Sequence, residues 1–419
     1  MTQPSKALLD VLAGANSHSN PAAPEDQQRL LALAEELSTH CPDACKALSL
    51  EPGAPLEFRI ATLLAESRAQ VSQIAQPLKI AIVFAMWGEH NRLLPASSSN
   101  PNGEDALRVK LAQLHWLLDS TPVDWTLYAI DDGCPHNSGT MAREIAADHP
   151  LGRHVEVLHL ANAIPTSRGP LHGLANADNS RKGGAVILGC EKALAKGVDA
   201  VIYTDADNSV HLGQLGLLLG PYQAGAKVVL GNRKDQRSVL VKQEARWGPG
   251  IALLRHMQRM VGEAVFATGI KDTQAAFKLF ESSTLTDILD ARTVFDFSFD
   301  TDWLLAAIAQ GVPLETTPFA FIDSAAESAS ITQGPMSTWE CLLKGLVKQA
   351  RKHQVPTNEA MCTVIDQQLE TVADFEAIID TVPPVLDGAA EADIGNPALM
   401  SPEEVSLWIQ GCKQQRRAA

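Results

Sequence analysis

The chain has 419 residues, 45% of them hydrophobic, which is enough for one large domain with smaller appendages and a sizeable core. Its formal net charge of −15 argues against nucleic acid and against electrostatic docking on anionic lipid. The N-terminal residues carry no sustained apolar run, and no stretch approaches about eighteen uncharged apolar residues, so neither a signal peptide nor a transmembrane segment is predicted. The seven scattered cysteines are typical of reduced thiols, and we expect a cytoplasmic protein.

Residues 1–76 show helical periodicity. Leucines 30, 31, 33 and 37 recur at helical spacing, and a second such pattern follows Pro55. The pattern changes at residue 78, where LKIAIVFAMW is a near-continuous apolar run. Such a run is typical of a strand buried on both faces of a parallel sheet.

Apolar runs and helical segments then alternate. The further strand-like runs are DWTLYAIDDG (124–133), HVEVLHL (154–160), DAVIYTDAD (199–207) and AKVVLGNR (226–233). Helical patterns between them include residues 103–120 and 182–197. This alternation predicts an α/β fold with a mostly parallel central sheet. Ligands of such sheets bind beyond the carboxyl ends of the strands.

The pattern becomes helical again from about residue 281, except for a strand-like stretch at 313–322. The tail after residue 350 is helical and contains a linker-like segment rich in Pro, Gly and Ala. We therefore predict a helical segment at 1–76, an α/β domain at 77–335 and a C-terminal helical extension at 336–419.

Asp205 and Asp207 follow a buried strand, one residue apart. Two carboxylates at such a place repel each other unless a cation or hydrogen-bond donors compensate them. A Mg²⁺ or Mn²⁺ ion shared with a diphosphate would do so. The alternatives are a pair of solvated turn residues, or Asp207 and Ser209 capping the next helix.

Other strand ends carry weaker signals. Asp131-Asp132-Gly133 is typical of a tight turn. Equally, a carboxylate at this strand end can accept hydrogen bonds from a nucleoside. Lys182 precedes two glycines at a predicted helix start, where the backbone can approach a phosphate or an ordinary helix can begin. Arg233, after another strand, suits phosphate oxygens or a solvated basic stretch.

The order of these features resembles the inverting glycosyltransferases of family 2, and most closely the dolichyl-phosphate mannose and glucose synthases. The likeness covers roughly residues 78–323. The matching segments are Trp87-Gly88-Glu89, Asp131-Asp132-Gly133, Asn179 to Ala185, Asp205-Ala206-Asp207, Gly231-Asn232-Arg233, Asp272 to Phe280 and Phe299-Asp300-Thr301-Asp302. The resemblance implies the nucleotide-diphospho-sugar transferase fold called GT-A and transfer of a hexose from a UDP- or GDP-sugar.

The resemblance also implies roles for individual residues. Asp205 and Asp207 would hold Mg²⁺ or Mn²⁺. An inverting transfer to a hydroxyl needs a general base, for which Asp300 or Asp302 is the candidate. The residues implied to bind the nucleotide-sugar are Glu89, Asp131, Asp132, Lys182, Asp205, Arg233, Arg246, Asp272 and Gln274.

Departures from the family pattern bear on the acceptor. Residues 325–330 read AAESAS where the lipid-phosphate enzymes continue to Gly-Ser-Lys, which removes a cation that could bind an acceptor phosphate. We therefore expect a soluble acceptor, with a polyprenyl phosphate as the alternative. A catalytically silent nucleotide-sugar-binding protein is a further alternative, whereas nucleotidyl transfer lacks its Gly-rich loop after the first strand. The helical extensions suggest acceptor docking or a homo-oligomer.

Overall fold

The structure is a computed structural model that describes residues 4–20, 23–241, 248–291, 294–323 and 335–418. These residues fall into two compact units. The first lies within 1–243, 272–290 and 313–326, and the second within 244–271, 291–312 and 327–419. The domain boundaries drawn above from the sequence stay predictions.

The helices begin and end as follows in chain order: α1 (Lys6–Gly14), α2 (Pro24–Leu37), α3 (Pro42–Ser49), α4 (Leu56–Ser72), α5 (Ala106–Leu118), α6 (Ser138–Asp148), α7 (Gly183–Ala195), α8 (Gly216–Gln223), α9 (Ile251–Val261), α10 (Glu263–Phe266), α11 (Ser282–Asp290), α12 (Phe299–Ala309), α13 (Pro335–His353), α14 (Glu359–Gln368), α15 (Val372–Glu376) and α16 (Pro402–Ala418). Several begin as their sequences predict. Proline opens α2 and α3, where a missing N–H costs nothing, and acidic residues lie in the first turn of α2. Within the described residues, no helix is both long and apolar enough to cross a membrane.

The strands are β1 (Leu78–Met86), β2 (Val123–Asp131), β3 (Val155–His159), β4 (Ala200–Thr204), β5 (Val228–Gly231), β6 (Val239–Val241), β7 (Phe277–Glu281), β8 (Leu314–Thr317) and β9 (Ala320–Ile322). The main sheet has the order β3-β2-β1-β4-β7-β5-β8. All its pairings are parallel except those of β7, which is antiparallel to both neighbours. The prediction of an α/β fold with a mostly parallel sheet is confirmed.

The core of the first unit lies on both faces of this sheet. Strand β1 is buried along almost its whole length, as its near-continuous apolar run predicts. Helix α7 packs closely against it, since a Cβ at Gly189 would lie only 2.4 Å from Cγ1 of Val83. The N-terminal helices belong to the same core, into which they insert Leu8 and Phe58.

The strand predicted at 313–322 is two strands in two sheets. Strand β8 pairs with β5 in the main sheet, and β9 pairs with β6 in a separate two-stranded sheet. Pro318 lies between them and has no N–H for a ladder, which gives a physical reason for the interruption.

Candidate active site

The strand order of the main sheet determines which residues meet in the candidate site. Strands β2, β1 and β4 are parallel neighbours, so their carboxyl ends meet at one edge of the sheet. Asp131 and Asp132 lie at the end of β2, Glu89 follows β1, and Asp205 and Asp207 follow β4. The fold therefore brings together the carboxylates of three separate sequence motifs.

Lys182 links two of these motifs. Its backbone N–H donates to Oδ2 of Asp132 at 2.7 Å, and its ammonium forms an ion pair with Asp205. Lys182 has a φ of +76°, a strained conformation for a residue with a side chain. Such strain persists only where surrounding contacts fix it, as the contacts with Asp132 and Asp205 do here.

Asp205 lies among positive charges. Burial acts to raise its pKa, but Lys182, and after it Lys110 and Lys278, outweigh burial, so the pKa is lowered. Its side chain is nevertheless 31% exposed, so a ligand can reach it. Asp205 is thus ionised at neutral pH and accessible.

Both the side chain and the backbone carbonyl of Asp207 accept hydrogen bonds. Its Oδ1 accepts from the N–H of Ser209 at 3.0 Å, a local bond that fixes the carboxylate. Its carbonyl oxygen accepts from the ammonium of Lys110, which lies fully buried on α5. Burial lowers the pKa of Lys110, against the effects of Asp207 and Glu104.

Glu89 is part of a buried charge network. Its Oε2 accepts from Arg92 at 2.9 Å, and Arg92 also pairs with Glu104, with 3.2 Å between Nε and Oε1. Burial raises the pKa of Glu89 to about 7, although Arg92 opposes the shift.

Asp131 and Asp132 differ in what surrounds them. The two carboxylate oxygens of Asp131 accept from the backbone N–H groups of Cys134 and Gly139, at 2.9 and 2.8 Å. Asp132 is 5% exposed, and burial raises its pKa to about 6, against the hydroxyl of Ser180 and the N–H of Lys182.

Arg233 and Asp272, predicted to bind the donor, bind each other. The guanidinium donates from Nε and NH2 to the two oxygens of Asp272, at 2.7 and 2.8 Å. Burial acts to raise the pKa of Asp272, but Arg233 outweighs it and the pKa is lowered. Gln274 lies in the same turn, where its N–H donates to Asp272 at 3.3 Å. Arg246 lies outside the described residues.

Asp300 and Asp302 belong to the second unit, in the first turn of α12. Both are buried. Asp302 pairs with two side chains of α13, His353 at 2.7 Å and Lys352 at 3.1 Å.

Comparison with known proteins relates this arrangement to an enzyme class. No family model matches the chain. The polyprenol monophosphomannose synthase of Mycolicibacterium smegmatis is 24% identical over 231 residues, which cover 54% of this chain and 79% of that protein. The undecaprenyl-phosphate mannosyltransferase of Micrococcus luteus is 26% identical over 208 residues, 49% of this chain and 75% of that protein. The chain is a glycosyltransferase.

Solved structures of glycosyltransferases are also similar. The glucosyl-3-phosphoglycerate synthase of Mycobacterium tuberculosis, crystallised with Mn²⁺, UDP-glucose and phosphoglyceric acid, matches 70% of this chain and 85% of its own at 14% identity and a TM-score of 0.44. The mannosyl-3-phosphoglycerate synthase of Rubrobacter xylanophilus matches 69% of this chain and 78% of its own length, at 13% identity and a TM-score of 0.44. The predicted likeness to glycosyltransferases is confirmed by the two curated relatives, and the predicted α/β fold class by the strand order described above.

The donor set of this glycosyltransferase fits a hard divalent cation. Asp205 and Asp207 supply carboxylate oxygens, the ligands that Mg²⁺ and Mn²⁺ prefer. Within the described part of the chain, no cluster of three or more His, Cys, Asp or Glu side chains is arranged to hold a metal. For a cation held by these two carboxylates, a diphosphate and water would have to supply the remaining ligands.

Sequence reasoning missed several charged residues of the candidate site. Lys110 and Lys278 are fully buried beside the carboxylates, and Arg92 and Glu104 form the network with Glu89. A signal was present in the sequence, because both lysines interrupt apolar runs, VKLAQL and AAFKLF. A charge inside a buried segment needs a nearby opposite charge or acceptor.

Proposed function

We propose that this glycosyltransferase moves a hexose from a UDP- or GDP-sugar to an acceptor, with inversion and with Mg²⁺ or Mn²⁺ as cofactor. The observation that carries the proposal is the position of Asp205 and Asp207. They follow β4 at the edge of the sheet where Asp132 and Lys182 also lie. Such an edge is where open α/β sheets bind nucleotides.

The chemistry follows from the leaving group. Departure of a nucleoside diphosphate from the sugar builds negative charge on phosphate oxygens. A divalent cation held by Asp205 and Asp207 would neutralise that charge. Lys182 supplies a positive charge beside Asp205. Charges fixed before the reaction stabilise the transition state more than the ground state.

The acceptor has two candidates. A soluble acceptor is supported by the sequence AAESAS at 325–330, which lacks the cation of the lipid-phosphate enzymes and lies outside the described residues. A polyprenyl phosphate is supported by the two curated relatives, a polyprenol monophosphomannose synthase and an undecaprenyl-phosphate mannosyltransferase. A hydroxyl acceptor needs a general base, for which Asp300 and Asp302 stay the candidates. A phosphate acceptor needs none.

A thermal-shift experiment tests the donor and the cation. The protein is melted with UDP, GDP, UDP-glucose and GDP-mannose, each with and without Mn²⁺, beside the variant Asp207→Asn. A ligand of the folded state at 100 times its Kd adds about 2.7 kcal/mol to the free energy of unfolding. We expect a shift with one nucleotide only, dependent on Mn²⁺ and lost in Asp207→Asn.

The same panel can contradict the proposal. A parent protein whose melting temperature no nucleotide changes, with or without Mn²⁺, would rule out the proposed donor class. A shift that persists unchanged in Asp207→Asn would rule out the cation site. Transfer of radiolabelled hexose to polyprenyl phosphate vesicles or to a panel of soluble hydroxyl and phosphate compounds then separates the two acceptors.

A further inference from the structure

Residues 205–209, the loop after β4, are called the carboxylate loop. Residues before and within α5 form hydrogen bonds with this loop. Glu104 precedes α5 by two residues, and its Oε2 accepts from the N–H of Asn208 at 2.8 Å. Its carbonyl oxygen accepts from Nδ2 of Asn208 at 3.0 Å. One residue thus binds both the backbone and the side chain of the residue after Asp207.

Lys110 binds the same loop at Asp207, one residue before Asn208. Its ammonium donates to the carbonyl oxygen of Asp207, and its side chain is fully buried. One turn further along α5, Oε1 of Gln113 accepts from the N–H of Leu212 at 2.8 Å. Helix α5 therefore holds the chain beyond β4 at successive points, which fixes the direction of the peptide groups beside Asp207.

The two neighbours of Glu104 favour a carboxylate at this position. One oxygen of Glu104 accepts from Asn208, and the other faces Nε of Arg92 at 3.2 Å. Both neighbours are donors. A glutamine has one acceptor oxygen and one NH₂ group, so in either orientation its NH₂ would face a donor. Glu104 is 4% exposed, so water cannot easily replace the lost partner.

We propose that Glu104 and Lys110 are positioning residues that set the carboxylate loop in its cation-binding geometry. This inference rests on the proposed function, in which Asp205 and Asp207 hold the cation. Neither residue need touch the cation or the sugar. Their contacts fix the peptide groups of Asp207 and Asn208 before any ligand arrives, so the site need not reorganise on binding.

Two variants separate positioning from simple electrostatics. Glu104→Gln removes a negative charge near the site, and Lys110→Met removes a positive one. If only the local potential mattered, the first variant would weaken Mn²⁺ binding and the second would tighten it. If the contacts position the loop, both variants weaken it. The sign of the Lys110→Met effect therefore decides between the two explanations.

Asp105→Asn is the matched control for Glu104→Gln. It removes one negative charge from the residue next to Glu104. The carboxylate of Asp105 pairs with Arg108 at 2.7 Å and takes no part in the contacts with the carboxylate loop described above. Asp105 has a φ of +47°, a conformation that asparagine also adopts readily. The control thus keeps the backbone and changes only the charge.

The experiment is a Mn²⁺ titration of the whole protein in the presence of UDP and, separately, GDP, followed by electron paramagnetic resonance of free Mn²⁺. Circular dichroism checks the fold of each variant. Replacing groups behind a metal ligand typically costs 10- to 100-fold in metal affinity. We expect losses of about that size in Glu104→Gln and Lys110→Met, and less than about threefold in Asp105→Asn.

The possible failures are distinct. Tighter Mn²⁺ binding by Lys110→Met, or affinities of both variants within about threefold of the parent, would overturn the positioning role alone. If Glu104→Gln does not fold, the sign of the Lys110→Met effect decides by itself. If Lys110→Met does not fold, the size of the loss in Glu104→Gln relative to Asp105→Asn decides, since a loss no larger than that of the control would reflect charge alone. A parent protein that binds no Mn²⁺ with either nucleotide would overturn the proposed function and this inference with it.

Discussion

Asp131-Asp132 after β2 and Asp205-Ala206-Asp207 after β4 are alike in sequence, since each places two carboxylates at the end of a buried parallel strand. Their surroundings differ. Both oxygens of Asp131 accept from backbone N–H groups at 2.8–2.9 Å, so its carboxylate shapes the turn into α6. Asp205 is 31% exposed and faces the ammonium of Lys182.

The difference shows how to separate structural carboxylates from functional ones. Backbone N–H groups are fixed donors that a ligand cannot displace without distorting the chain. A lysine side chain is flexible, and a cation can displace it from the carboxylate. A strand-end aspartate is thus a strong candidate for function when side chains, rather than the backbone, neutralise it. Three predictions extend or challenge this rule, from the largest expected effect to the smallest.

The first prediction sets a limit to the rule with Asp302, a helix residue of the second unit, which side chains neutralise but which, unlike Asp205, is almost fully buried. His353 and Lys352 pair with its carboxylate, and its side chain is 2% exposed. Breaking a buried pair by removing one partner costs about 3–5 kcal/mol. We expect Asp302→Asn to lower the free energy of urea unfolding by about that amount, and Asp300→Asn to lower kcat with a hydroxyl acceptor instead.

His353→Gln serves as the partner control, because it removes the same pair from the other side. The unfolding free energies of the two single variants and the double variant form a cycle that isolates the pair. If Asp302→Asn leaves stability unchanged and reduces kcat, Asp302 is the base, and burial sets no such limit to the rule.

Much of the fold follows from the sequence because buried parallel strands have a distinctive composition. The near-continuous apolar runs at 78–87 and 200–203 fall on β1 and β4. Strand β7 was not predicted at all, and its antiparallel direction depends on long-range topology rather than on its own residues. The break at Pro318 between β8 and β9 was missed for a similar reason, since PFAFI reads as a strand by composition.

The site is less accessible to sequence reasoning than the fold. The spacing of Asp205 and Asp207 indicates a cation site, but it cannot show that Glu104 binds Asn208 across about a hundred residues of chain. Nor can it show that Arg233 and Asp272, each predicted to bind the donor, occupy each other's hydrogen-bonding groups. Partners distant in sequence are set by packing, which one sequence does not display.

The second prediction concerns Asp132, whose raised pKa, about 6, reflects burial of the charge. A carboxyl group with a raised pKa in the folded state destabilises the protein as it ionises. The free energy of unfolding therefore falls as the pH rises from about 4 to about 6, by about 3 kcal/mol for this group, since one pKa unit is worth about 1.4 kcal/mol. Asp132→Asn removes this loss.

We expect Asp132→Asn to match the parent at pH 4 and to exceed its stability by up to about 3 kcal/mol at pH 8, measured by urea unfolding at both values. Nucleotide affinity should fall in the same variant, because Asp132 is predicted to bind the nucleoside. A variant as stable as the parent at pH 8 would mean that the charge of Asp132 carries no burial penalty.

The third prediction challenges the rule at Asp131 itself. Asparagine offers one acceptor oxygen in place of two, so either the N–H of Cys134 or that of Gly139 would face an NH₂ group. An unsatisfied buried donor costs about 1–3 kcal/mol, and we expect Asp131→Asn to lower the free energy of unfolding by about 2 kcal/mol. Below its melting temperature, the variant should bind the Mn²⁺–nucleotide pair within about threefold of the parent, a change smaller than 1 kcal/mol. The reverse result, full stability with lost nucleotide affinity, would restore the binding role predicted for Asp131 and show that backbone bonds do not exclude a strand-end carboxylate from function.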